Sequence, residues 1–288
     1  MANIRLIKRR IKSAKNIAQI TKAMELVAAA KMKKAQAAAL SGKLYAQKIY
    51  GMVMRLASRT DFRSHPLLIA PPPTGRRLIV LLSTNKGLCG GLNTSLFRFF
   101  MKQYPNISKH DIVTLGKKGA DFITRLGHTV KADFSDMTPW ERVVPAVVEY
   151  LTSAFLSEAY DAVDLVSHEF LSITKQEPRA KTILPLTITK EAVVQGGEEE
   201  RMYEFLIEPS VEAVFGALLP HYVENQIRDA VLQAEAAEHS ARMIAMHNAT
   251  DNANSLQDDL TLLYNKARQE KITYEISDMV TARLAVEV

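Results

Sequence analysis

Stepping alternately by three and four residues from Ile4 gives Ile4, Ile7, Ile11, Ala14, Ala18, Thr21, Glu25, Ala28, Met32, Ala35, Ala39, Gly42, Ala46, Ile49, Val53 and Leu56. Only Thr21 and Glu25 in that series are neither apolar nor small. A 3.5-residue repeat held over so many turns is the seam of a coiled coil and predicts one helix over residues 1–58. Its middle is alanine and glycine, which bury little area at about 25 cal/mol per Å² but admit a second backbone at close range. A matching seam, Ile227, Ala230, Ala234, Ala237, Ala241 and Ile244, opens a second helix expected over 221–286. The two ends are expected to pair with each other as an antiparallel hairpin. Ala241, Ala245, Ala249 and Ala253 are then spaced by four before Leu256, Leu260, Leu263 and Ala267 resume the heptad. Such a slip locally unwinds a left-handed supercoil.

Breakers confirm where these helices can run. All eleven prolines lie between Pro66 and Pro220, with ten of the twelve glycines. Both ends are thus free of residues that stop a helix, and Pro220 predicts a break just before the last one. Around the slip, Arg242, Asn248, Thr250, Asp251, Asn252, Asn254, Gln257, Asp258, Asp259, Asn265, Arg268 and Gln269 leave little apolar surface beside the seam. A helix so polar is either the solvated face of a coil or a contact surface for a partner that encloses it.

The middle of the chain changes period. Arg77 to Ser83, Asp111 to Leu115 and Leu165 to Ile173 are short apolar runs, with Thr182 to Leu186 and Met202 to Ile207 as weaker strand candidates. Helical patterns over Leu92 to Tyr104, Lys117 to Leu126 and Trp140 to Tyr160 separate them, the alternation of a small, mostly parallel sheet. The expected fold is α/β plus a long coiled coil: terminal helices over 1–60 and 209–288 around a central Rossmann-like α/β domain over 76–208.

Charge follows the same division. Residues 1 to 59 hold 14 Lys and Arg against Glu25 alone, a net of +13, so the rest must carry 6 − 13 = −7. A helix this basic suits nucleic acid, an anionic membrane or an acidic protein surface. The 47% hydrophobic and 24% charged fractions are ordinary for a soluble chain, and no run approaches 18 uncharged apolar residues. The amino-terminal segment has basic residues but neither the apolar core nor the cleavage site of a secretory signal. One cysteine, Cys89, leaves no intrachain disulfide.

The segment nearest to enzyme chemistry is Ser83 to Asn93, STNKGLCGGLN, a glycine-rich turn from strand to helix. Gly87, Gly90 and Gly91 fit neither G-x-G-x-x-G nor the P-loop, so they read as a structural turn of the α/β domain. Cys89 lacks a neighbouring histidine and reads as a small buried residue. His168-Glu169 begins like a zinc-protease motif, but position 172 is Ser. The sequence carries no catalytic constellation, and no metal or cofactor is expected.

Four stretches resemble the signature segments of the gamma subunit of F-type ATP synthases: ITKAMELVAAAKM (20–32), STNKGLCGGLN (83–93), SARMIAMHNATDNANSL (240–256) and LLYNKARQEKIT (262–273). The resemblance spans the chain in order. It implies a rotor whose coiled coil stands in a hexamer of three alpha and three beta chains. The α/β domain then sits with the epsilon chain on a membrane ring of c chains, with delta in the same complex. Ion flow would turn the ring and the shaft would drive each beta chain through its nucleotide states, with no catalysis by the shaft itself. It further implies a peripheral place on the cytoplasmic face of a bacterial inner membrane, and no role for nucleic acid. By motif, Lys22 and Met24 in ITKAM, Arg242 in SARM, Thr250, Asp251 and Asn252, and Arg268 with Gln269 in NKARQ correspond to the contacts with the hexamer. The last residues, 280–288, depart from the family pattern because Arg283 and Glu287 interrupt the run of small residues.

Overall fold

The fold was read from a computed structural model that describes residues 4–57, 65–69, 71–137, 140–186 and 207–286. By packing, the chain divides into two compact units, Met1–Ala29 with Arg242–Val288, and Ala30–Ala241. Parts of helices α1 (Ile4–Ala57) and α5 (Val211–Val286) therefore go with the α/β domain.

In the larger unit a five-stranded sheet has the order β3-β2-β1-β4-β5. Its strands are β1 (Arg77–Leu82), β2 (Asp111–Leu115), β3 (Ala132–Asp133), β4 (Ala162–Phe170) and β5 (Gln176–Leu184). The first four run parallel and β5 pairs antiparallel with β4. Every residue of β1 after Arg77 is buried because both faces are covered, which is why its sequence reads as a continuous apolar run. Ile79 and Leu81 meet Leu96 and Phe100 of α2 (Leu92–Gln103) and Ile123 of α3 (Lys117–Arg125) on one face. Leu78, Val80 and Leu82 meet Val144, Val147 and Leu151 of α4 (Val144–Leu156) on the other, together with Ile49 and Val53 of α1 and Phe215, Leu219 and Val223 of α5. The helix bases are thus built into the core of the α/β domain.

Several expectations needed correction. Pro220 lies inside α5, which begins at Val211 after Ser210, whose Oγ accepts the Ala213 amide at 3.2 Å. Proline in a helix interior costs about 3 kcal/mol. Buried Phe215, Leu219, Val223 and Ile227 bracket it on one face and offset that cost. Strand β5 starts at Gln176 rather than Thr182: its charged residues alternate and it carries Pro178, both marks of an edge strand. The candidate strand over Met202 to Ile207 falls at 202–206 outside the described residues. Gly42 has nothing within 4 Å of where a Cβ would stand, so the seam does not close on it as expected. Nearby an open groove of about 690 Å³ is lined by Gln36, Leu40, Tyr50, Phe170, Tyr222 and Gln233, among others.

His168 ties β4 to α2. It is 3% exposed, its Nε2 lies 3.2 Å from Ser95 Oγ, and burial lowers its pKa to about 4. The unfolded chain binds a proton near 6.5, so the stability gained by keeping this ring neutral is complete above that pH and is lost as pH falls through 4. A shift of this size corresponds to on the order of 3 kcal/mol. Melting temperature should therefore drop between pH 6.5 and 4, and His168→Gln should flatten that part of the profile.

Candidate functional site

The glycine-rich turn sits where open α/β sheets bind ligands, at the carboxyl ends of parallel strands. Here the turn's own atoms fill the place. Asn85 Oδ1 accepts the Lys117 amide at 2.9 Å, Thr84 O accepts that of Lys118 at 3.1 Å, and Ser83 Oγ accepts that of Gly119 at 2.7 Å. The N-terminal amides of α3, which could otherwise cradle a phosphate, are spent within the chain. Gly116 (φ +111) and Gly119 lie so close to Ser83 that a Cβ would clash. Gly90 takes a positive φ of 58 and Gly91 is the cap residue of α2, while neither Gly87 nor Gly91 has an atom within 4 Å of a Cβ site. Cys89 is buried, with Sγ 3.5 Å from Asn93 Nδ2. Among the described residues, no three His, Cys, Asp or Glu side chains stand close enough to hold a metal ion.

On the α2 face, towards the amino ends of β1 and β4, lies a closed polar cluster. Asp164, 2% exposed, accepts bonds from Arg77 Nη1 (2.7 Å), Tyr104 OH (2.8 Å) and Thr182 Oγ1 (2.7 Å). Burial first, and then the negative charge of Asp164, push the Tyr104 hydroxyl well above its ordinary range, and the bond to Asp164 raises Arg77. Every group is satisfied, which makes this a brace of the fold.

The smaller unit is a pair of helices. All seam positions of α1 from Ile4 to Ala28 are buried or half-buried, as the repeat requires. On α5 the inward positions are Met246, Thr250, Ala253, Gln257, Leu260, Tyr264 and Ala267, again at alternating steps of four and three. Leu256 and Leu263, expected on the seam, are 52% and 46% exposed and flank it. The helices run antiparallel, since Thr21 Oγ1 meets Thr250 Oγ1 at 2.7 Å and Glu25 Oε1 meets His247 Nδ1 at 3.3 Å.

The polar residues singled out by motif divide into two sets. Arg242 (9% exposed) and Thr250 (8%) are buried, and Thr250 also donates to Met246 O at 2.8 Å. Lys22, Asp251, Asn252, Arg268 and Gln269 are exposed, and Met24 is half-buried. Lys22 Nζ reaches Glu25 at 3.1 Å and Asp251 Oδ2 lies 3.5 Å from His247 Nε2. From Arg268 to Ala282 every side chain is exposed, including Ile272, Ile276 and Met279. His247 is not among the residues singled out in the sequence; its signal is its place three residues before Thr250, opposite Glu25.

The profile of the family described as ATP synthase matches residues 3–286. The ATP synthase gamma chain of Opitutus terrae is 42% identical, covering 99% of each chain, and that of Herpetosiphon aurantiacus is 40% identical over the same shares. This chain belongs to the ATP synthase gamma chain family. As a family member it takes part in ATP synthesis coupled to ion transport. Chains in solved Euglena gracilis mitochondrial ATP synthase share its fold. One, from an OSCP/F1/c-ring assembly, has a TM-score of 0.67 at 22% identity and coverages of 98% and 94%. Another, from a rotor, has 0.62 at 22% with coverages of 93% and 98%. The terminal helix pair around a central α/β domain is therefore the gamma-chain fold. Among the described residues no helix is long and apolar enough to cross a membrane.

Proposed function

We propose that this chain is the rotor of a central stalk, with its helix pair inside a hexamer of three alpha and three beta chains and its α/β domain resting with epsilon on the ring of c chains. Ion flow turns the ring, the shaft turns with it, and an asymmetric shaft in a nearly threefold hexamer presents each catalytic beta chain with a different face in turn. One charge crossing 100 mV yields about 2.3 kcal/mol, so several ion steps must be stored before one nucleotide is made or released. The chain performs no catalysis itself, and the complex stands on the cytoplasmic face of a bacterial plasma membrane, the chain touching it only peripherally. The observation that carries this reading is the smaller unit: two bare helices with a narrow seam and an exterior that sets exposed apolar side chains such as Ile20, Leu26, Leu262 and Met279 among charged ones, in a chain that matches gamma chains along its whole length.

Within the hexamer, Lys22, Met24, Asp251, Asn252, Arg268 and Gln269 touch the surrounding chains, while Arg242 and Thr250 hold α5 in place from within. The basic helix α1 faces acidic surfaces of the beta chains. Replacing exposed Asp251 and Asn252 together with Ala should change the stability of the isolated chain by less than about 0.5 kcal/mol. The assembled complex should nevertheless turn over several-fold more slowly. Wild-type turnover in that variant would remove the contact assignment.

The isolated chain should neither hydrolyse ATP nor bind it at micromolar concentration, since the α3 terminus is already occupied. Activity should appear only when alpha and beta chains are added. Hydrolysis by the purified chain alone would overturn the reading.

A further inference from the structure

Alanine seams define distance but not alignment. Ala14, Ala18 and Ala28 offer nearly identical small knobs, so these positions by themselves do little to distinguish one heptad alignment from the next. In the larger unit the sheet fixes the helix bases through their buried residues. The smaller unit consists of the two helices alone, and there the seam itself must set the register.

One layer of that seam is polar on both helices. Thr21 and Thr250 share a hydrogen bond at 2.7 Å, each also within reach of a backbone carbonyl of its own helix: Ile17 O at 3.0 Å and Met246 O at 2.8 Å. A hydroxyl has one proton, so one threonine donates across the seam while the other donates to its own turn. One turn away Glu25, with its side chain 15% exposed, receives Lys22 Nζ at 3.1 Å and lies 3.3 Å from His247 Nδ1. His247 in turn approaches Asp251 at 3.5 Å. Counting outward from Thr21 and Thr250, the inward positions fall into mirrored layers: Ala18 with Ala253, Ala14 with Gln257, Ile11 with Leu260, Ile7 with Tyr264. A slip of one heptad would place Thr21 against Gln257, and Glu25 would lose His247.

We propose that the Thr21–Thr250 pair and the Glu25–His247 contact form a register clasp, and that the coupling of rotation to ion movement depends on it. Lys22 orients the Glu25 carboxylate. These are positioning residues: they touch no nucleotide and act by holding two sliding surfaces in one alignment, the best-attested use of polar groups in an apolar seam.

Two measurements test it on the full chain. In the first, Ala18→Cys is combined with Ala253→Cys, the aligned partner, or with Leu260→Cys, one heptad away. The native Cys89 is buried, so oxidation reports the engineered pair. The otherwise wild-type chain should trap only the aligned pair, and Thr21→Ala with Glu25→Ala should raise trapping of the shifted pair at least tenfold. Unchanged trapping overturns the clasp. In the second, complexes in vesicles are compared by ions pumped per ATP hydrolysed. Glu25→Ala and His247→Ala should each lower that ratio about threefold. The double variant should fall no further than either single, because both remove the same contact. Glu25→Gln, which keeps an acceptor oxygen facing His247 Nδ1, should stay near wild type. Single variants with the wild-type ratio, or a double whose loss is the product of the two, overturn the dependence of coupling on the clasp.

Discussion

Gly116→Ala should prevent the α/β domain from folding. Gly116 has φ +111, and a Cβ there would stand 2.1 Å from Ser83 O and 2.6 Å from Ser83 C, both backbone atoms that cannot turn aside. Strain and clash together should cost more than about 4 kcal/mol, in the range kept for buried backbone conflicts. Trp140, the sole tryptophan, is buried in the α/β core, so its fluorescence reports this domain separately from helix content. It should resemble that of the unfolded chain in Gly116→Ala. Two other glycines calibrate the result. Gly127 has φ +80 but open space around its Cβ site, and replacement with Ala should cost only about 1 kcal/mol. Gly87 has neither constraint, and Gly87→Ala should be nearly neutral. A phosphate cradle would give the opposite order, with Gly87 sensitive because a ligand needs the approach.

Asp164→Ala should be the second most damaging change. It orphans the Tyr104 hydroxyl, which is buried, and removes the partners of Thr182 and Arg77. Arg77 is half exposed and can turn to water, so its pairing contributes little. Thr182 is exposed and its hydroxyl can likewise turn to water, so the one buried group left unsatisfied, Tyr104, sets the loss at about 2 kcal/mol. For a domain of this size that is about 4 to 8 °C in melting temperature, read from the same tryptophan. Tyr104→Phe should lose only about a third as much, because it removes the donor and leaves Asp164 two of its partners. A melt of Asp164→Ala unchanged from wild type would contradict the brace.

The difference between what could and could not be read in advance lies in what a period measures. The seam of helix α1 was legible from Ile4 to Ala28 because it alternates cleanly with charged positions, and apolar runs gave β1 and β2 nearly to their ends. Helix α5 was legible up to Ala241 and only in part beyond it: Ala253, Leu260 and Ala267 take the seam as expected, whereas Leu256 and Leu263 do not. There Leu256 and Leu263 outrank Gln257 and Tyr264 on any hydrophobic scale, yet the seam takes the latter and leaves the leucines on its flank. Patterning assumes that the core takes the most apolar residue at hand, and a thin helix pair does not. Strand β5 was cut short because an edge strand with alternating charges and a proline lacks the apolar run expected of a buried one. For the residues proposed to contact the hexamer, motif resemblance supplied candidates and the structure supplied their directions. Nothing in the residue type of Thr250 says that it points inward, whereas Asp251 and Asn252 beside it point out.

Rotation is the central claim, and it can be watched. Complexes of this chain with alpha and beta chains would be fixed to glass through the hexamer, and a gold bead attached at Met137→Cys on the α/β domain. Met137 is 57% exposed and Cys89 is buried, so the engineered thiol is the one the bead can reach. On addition of ATP the bead should turn in one direction, pausing at three positions in each revolution. A bead that stays still while the same complexes hydrolyse ATP at full rate would contradict the account.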